Sequence, residues 1–137
     1  FMDPSPIHLN VTSHPENLKR IRALMADIAS TAGLSKEDSG SVILAVDEAC
    51  SNIIKHSYKN DYNQKIDLTI RLETNFLTIS IVDYGIKFDI TSIKARDINK
   101  IKPGGLGVYI INHVMDTVEY SHTLEGFNKM TMVKKLI

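Results

Sequence analysis

From Ile7 to Thr12 apolar and polar residues alternate, the period of a half-buried strand. Ser13, with Glu16 three residues later, matches a capping box and predicts Ser13 as the N-cap of a helix. That helix carries Leu18, Ile21, Leu24, Met25 and Ile28 at helical spacing and fades near Gly33. Ser35, followed by Asp38, opens a second helix expected to run to about Ser57, and residues 58–63 form a polar turn. Ile66, Leu68, Ile70 and Leu72 alternate cleanly, as do Leu77, Ile79 and Ile81, with Asn75 at the bend. This is the signature of an antiparallel hairpin. Residues 90–103 show only weak periodicity. Gly104-Gly105-Leu106-Gly107 then opens a third helix bearing Val108, Ile111, Val114 and Met115. Thr117 to His122 and Lys129 to Leu136 read as a last pair of strands around a Glu125-Gly126 turn. The element order predicts an α/β (α+β) two-layer sandwich. Its sheet of about five strands is mixed, mainly antiparallel, and three helices cover one face.

Composition narrows the class. The 137 residues are 43% hydrophobic and contain no repeat or low-complexity tract, which predicts a single domain over 1–137. Sixteen basic and sixteen acidic residues cancel, so neither a nucleic-acid footprint nor a polybasic membrane patch is indicated. The apolar runs are far shorter than the roughly 20 residues that span a bilayer. No basic start with an apolar core suggests a signal peptide, and Phe1 reads as one extra residue before a native Met2. A single Cys excludes an internal disulfide and suits a reducing, cytoplasmic setting.

Three constellations carry candidate chemistry. Glu48, Asn52 and Lys55 stand at i, i+4 and i+7 of the second helix and share a face, opposite an apolar stripe of Val42, Val46, Ala49, Cys50 and Ile53. An amide oxygen at Asn52 suits Mg²⁺ when phosphates supply most of the charge. Glu48 can accept a hydroxyl proton, and Lys55 or His56 can meet a phosphate oxygen. The same trio also fits a solvated helix face. Asp83-x-Gly85 ends an apolar strand: the carboxylate can accept the exocyclic amine of adenine and the glycine permits close backbone approach, although Asp and Gly also punctuate ordinary turns. Gly104 to Gly107 lead into a helix whose free N–H groups and dipole favour an anion, or they form a simple hinge. The five histidines lack metal-ligand spacing, so no zinc site is assigned. Cys50, Met25, Met115, Met130 and Met132 are read as core packing.

In this order and spacing the motifs resemble the GHKL family of ATPases, which includes histidine-kinase catalytic domains, gyrase B and MutL. Glu48 to Asn52 resembles the N box, Asp83-x-Gly85 the first glycine box and Gly105-x-Gly107 the second. Within the family, Glu48-Ala-Cys-Ser-Asn52-Ile-Ile-Lys-His56, Asp83-Tyr-Gly85-Ile-Lys-Phe88-Asp89 and Gly104 to Asp116 are most similar to bacterial anti-sigma-factor serine kinases. The resemblance implies a Bergerat-type ATP-binding fold with ATP between the second helix and a lid at residues 90–103. It implies Mg²⁺ at Asn52, Glu48 as catalytic base and adenine at Asp83. It also implies nucleotide contacts from Lys55, His56, Gly85, Phe88, Gly104, Gly105, Leu106, Gly107 and Val108. The adenine-contacting threonine of a late strand has Thr131 as its nearest match. The first glycine box lacks its second glycine, with Lys87 in its place, and the lid offers Lys94, Arg96, Lys100 and Lys102 as phosphate contacts. The implied activity is an ATP-dependent protein serine kinase acting as an anti-sigma factor. Such a protein is a homodimer that binds a sigma factor and phosphorylates a serine on a STAS-type antagonist. It makes no direct nucleic-acid or membrane contact. The alternatives are a nucleotide-binding switch without efficient turnover and a detached histidine-kinase catalytic domain.

Overall fold

Strand β1 (Ile7–Thr12) realises the first alternation without a shift: Val11 is buried while His8 and Asn10 are exposed. The structure, a computed structural model, describes residues 5–91 and 106–136. The capping box is not used as expected. Ser13 is fully buried. Its hydroxyl donates to Asp61 O at 2.5 Å and accepts from Gln64 N–H at 3.0 Å, because the β1 exit packs directly on the 61–64 turn. His14 caps instead, its Nδ1 accepting from Glu16 N–H at the start of a short 3₁₀ turn, Pro15–Asn17.

Helix α1 (Leu18–Thr31) buries Ile21, Met25 and Ile28, and the chain leaves it through Gly33 at φ +77°. Helix α2 (Lys36–Asn52) is capped by Ser35, whose hydroxyl accepts from Asp38 N–H at 3.1 Å. Its predicted stripe, Val42, Val46, Ala49, Cys50 and Ile53, is buried. The α geometry stops five residues short of Ser57. Ile53–Ser57 widens into a π-helical turn, in which Tyr58 N–H reaches back to Ile53 O at 3.0 Å. Lys59 and Asn60, both left-handed at φ 48° and 63°, then reverse the chain.

Strands β2 (Lys65–Leu72) and β3 (Phe76–Asp83) form the expected hairpin. Helix α3 (Leu106–Val114) is followed by β4 (Thr117–His122) and β5 (Asn128–Lys135), joined at Gly126 with φ +92°. The sheet order is β1-β2-β3-β5-β4 and every described pairing is antiparallel, which corrects the mixed sheet expected from sequence. The physical reason lies in the strand order. β3 and β4 do run parallel, but β5 inserts between them, so no parallel ladder forms.

The helices cover one face. Ile66, Leu68, Ile70, Leu77, Ile79, Ile81 and Met132 pack there beneath Ile21, Met25, Val42, Val46 and Ile111, all at 1% exposure or less. Each such side chain contributes about 1.5–3 kcal/mol through burial. Among the described residues no helix is long and apolar enough to cross a membrane.

Candidate nucleotide-binding site

The core stripe of α2 fixes the opposite side of the helix, leaving Glu48 and Asn52 half-buried one turn apart. The start of α3 lies against them. A Cβ on Gly107 would stand 2.7 Å from Glu48 Oε2, 3.3 Å from Asn52 Nδ2 and 3.5 Å from Asn52 Oδ1. Only a bare backbone approaches that carboxylate and amide so closely, so the first and third constellations meet in space. Val108, half-buried, continues this turn of α3, with its carbonyl accepting from Asn112 Nδ2 at 2.9 Å. Arg22 of α1 pairs with Asp47 at 2.7 Å and steadies α2 beside Glu48; such a part-exposed pair contributes at most about 1 kcal/mol.

The second constellation is held by a denser set of contacts. Asp83, 4% exposed, accepts at Oδ1 from Ser57 Oγ at 2.5 Å, from Gly85 N–H at 3.0 Å and from Asn128 Nδ2 at 3.0 Å. Gly85 is needed here because a Cβ would lie 2.2 Å from Ser57 Oγ and 2.6 Å from Ser57 O. The close approach expected at this glycine is therefore an approach to the end of the π turn that follows α2, locked further by Ile86 N–H donating to Ser57 O at 3.1 Å. Tyr58, buried next to Ser57, donates its hydroxyl to Lys65 O at 2.5 Å and accepts from Tyr84 N–H at 2.7 Å. Burial above all, with Asp83 and Asp67 nearby, holds its phenol above the ordinary tyrosine range. Tyr84 donates to Asp67 Oδ2 and packs edge-on against Phe127 at 4.5 Å; the bond to Asp67 pushes its phenol up to about 12.

Several expected residues stand elsewhere. Lys55 and His56 are exposed on the π turn, which takes more residues per turn and so carries Lys55 off the Glu48–Asn52 line. Phe88 turns to the far strands: its ring stacks on His122 at 5.2 Å and meets Tyr120 edge-on at 5.7 Å, while its carbonyl contacts His122 Nε2 at 3.1 Å. Thr131 is corrected. In the β3–β5 register it faces Ser80, 3.5 Å away hydroxyl to hydroxyl, on the sheet face opposite Asp83, Asn128, Met130 and Met132. Strand alternation alone takes it out of the site. Gly104, Gly105, the Leu106 side chain and the four lid cations lie outside the described residues.

Ser57 and Asn128 were not anticipated. Asn128 had a signal in the sequence: it is a polar residue in step with Met130 and Met132 on the inward alternation of the last strand. Ser57 had none, since the helical pattern runs through it unchanged. Among the described residues no group of three or more His, Cys, Asp or Glu gathers to hold a metal. A hard cation at Asn52 would take its remaining ligands from phosphate and water, a donor set that suits Mg²⁺.

The profile of the histidine kinase-like ATPase domain matches residues 11–134. The chain is 34% identical over 124 residues to the serine-protein kinase RsbW of Bacillus cereus (strain G9842), with 85% of this chain and 77% of that protein covered. It is 32% identical over 124 residues to serine-protein kinase RsbW of Bacillus mycoides (strain KBAB4), at the same coverage of 85% and 77%. The crystal structure of the RsbU and RsbW domains of Rv1364c from Mycobacterium tuberculosis superposes with a TM-score of 0.66 over 95% of this chain. At 15% identity that likeness speaks for the fold, and this chain spans 31% of that longer one. With a profile match that runs from the first strand to the last, the chain belongs to the histidine kinase-like ATPase family.

Proposed function

We propose that the chain is an ATP-dependent protein serine kinase that acts as an anti-sigma factor and phosphorylates a serine on a STAS-type antagonist. One contact carries this reading: Gly107 at the start of α3 lies against both Glu48 and Asn52, joining an anion-binding helix start to a base and a metal ligand. Family membership supplies the use of ATP, and the relatives bearing the name serine-protein kinase supply the acceptor class.

In this reading Asp83 accepts the 6-amino group of adenine, and the backbone from Gly104 to Val108 cradles the phosphates. Asn52 would hold Mg²⁺, which when bound neutralises phosphate charge. Glu48 takes the proton of the incoming serine hydroxyl, the serine oxygen bonds to the γ-phosphorus, and the bond to the bridging oxygen breaks. The products are phosphoserine and ADP, with the proton on Glu48. Phosphoryl transfer depends mainly on positioning and charge, so a rigid wall built from α2 and α3 is the right kind of scaffold. The resemblance in the three motifs extends the proposal to a cytoplasmic homodimer that holds a sigma factor and exchanges it for the antagonist.

The deciding experiment is intact-mass analysis of candidate STAS proteins after incubation with this protein and Mg-ATP. The expected result is a mass gain of one phosphate that survives acid. Nucleotide retention without any phosphorylated partner would instead leave a binding switch, and an acid-labile product would point to histidine transfer.

A further inference from the structure

Asn128 opens β5 directly across from Asp83 and is 2% exposed. Its amide is fully engaged. Nδ2 donates to Asp83 Oδ1 at 3.0 Å and to Ile86 O at 2.8 Å, while Oδ1 accepts from Phe88 N–H at 3.0 Å. The flip state is fixed by these partners, because a reversed amide would set its oxygen against Asp83 Oδ1 and Ile86 O. With Ser57 Oγ and Gly85 N–H it makes a set of three donors on a single carboxylate oxygen.

We infer that Asn128 is a positioning residue for base selection: by fixing the Asp83 carboxylate through Oδ1, it directs Oδ2 to accept the 6-amino group of a purine. The inference rests on the reading of Asp83 as the base contact. A carboxylate oxygen that cannot rotate accepts from an amino group and opposes the oxygen that guanine carries at the same place. A carboxylate free to turn would satisfy itself with solvent and discriminate little. Asn128 also ties Ile86 and Phe88 to the same strand end, so the loop after β3 and the base contact share one anchor.

The test compares ATP with purine riboside triphosphate, which lacks the 6-amino group, in equilibrium binding to the wild-type protein and to Asn128→Leu. Leucine is close to asparagine in size and offers Asp83 no donor in any protonation state. The wild type is expected to lose about tenfold in affinity when the amine is absent. Asn128→Leu is expected to bind ATP about tenfold more weakly than the wild type and the two nucleotides within about twofold of each other. If Asn128→Leu does not fold, as judged by circular dichroism, Ser57→Ala removes another donor from the same oxygen and should narrow the discrimination in the same direction. A folded variant that weakens both nucleotides equally, or neither, overturns the inference. A wild-type protein indifferent to the amine overturns the base-contact reading, and this inference falls with it.

Discussion

Gly85 and Gly107 are both tight, but what each would strike differs. At Gly85 the neighbour is partly backbone, with Ser57 O 2.6 Å from an added Cβ. Gly85→Ala is therefore expected to cost about 1–3 kcal/mol of stability, read as a lower denaturant midpoint at unchanged slope. At Gly107 the nearest atom is the tip of the Glu48 side chain, which can move aside. A methyl there should leave stability nearly intact while displacing the proposed base. The two polar residues beneath it separate by role. Glu48→Gln should retain ATP binding and lose about 10²–10⁴-fold in phosphoryl transfer, measured in single-turnover assays. Asn52→Ala should weaken Mg-dependent nucleotide affinity by about tenfold. At this scale the sequence was informative about Glu48, Asn52, Asp83 and Gly107, whose types match the chemistry. It was silent on Ser57, which reaches Asp83 from 26 residues away, a pairing no local window contains. Thr131 shows the opposite failure, a suitable residue type on the wrong parity of its strand.

Elements are joined here by side chains as much as by ladders. Tyr58 links the end of the π turn to the start of β2 and to Tyr84, and Tyr84 in turn ties the β3 exit to Asp67 of β2. The Tyr84 phenol lies at about 12 against an ordinary 10.0, so the folded state prefers it protonated. That preference is fully present below pH 10.0, declines between there and about 12, and is gone above. The unfolding midpoint is expected to fall as pH rises through this window, and Tyr84→Phe should remove part of that fall; equal slopes in both proteins would show that the bond carries no linkage. The hairpin β2–β3 and the start of α2 were legible from alternation and from Ser35, because both signals are local. The π turn was not, because Ile53 and Ile54 continue the apolar pattern and nothing in their types reports the change in hydrogen bonding.

Across the whole molecule, one sheet face carries nearly all the apolar packing, and Asp83, the proposed base contact, sits at the end of its central strand. Ile79 lies in the middle of that strand with no exposure, between Ile70 of β2 and Met132 of β5. Ile79→Ala should cost about 2–5 kcal/mol, measured by chemical denaturation. Layer order and helix coverage were readable from the succession of elements, whereas the insertion of β5 between β3 and β4 depends on long-range pairing. The widened turn at Ile53–Ser57 has a consequence for the protein as a measuring device. Glu48 marks the reacting end of the proposed nucleotide and Ser57 anchors its base end, and α2 runs directly from the first into the π turn that ends at the second. A straight α-helix would set them roughly 13 Å apart over nine steps at 1.5 Å per residue, and the wider winding of the π turn shortens that span. The helix thereby acts as a ruler, and ligands of a different length would satisfy one end only by abandoning the other.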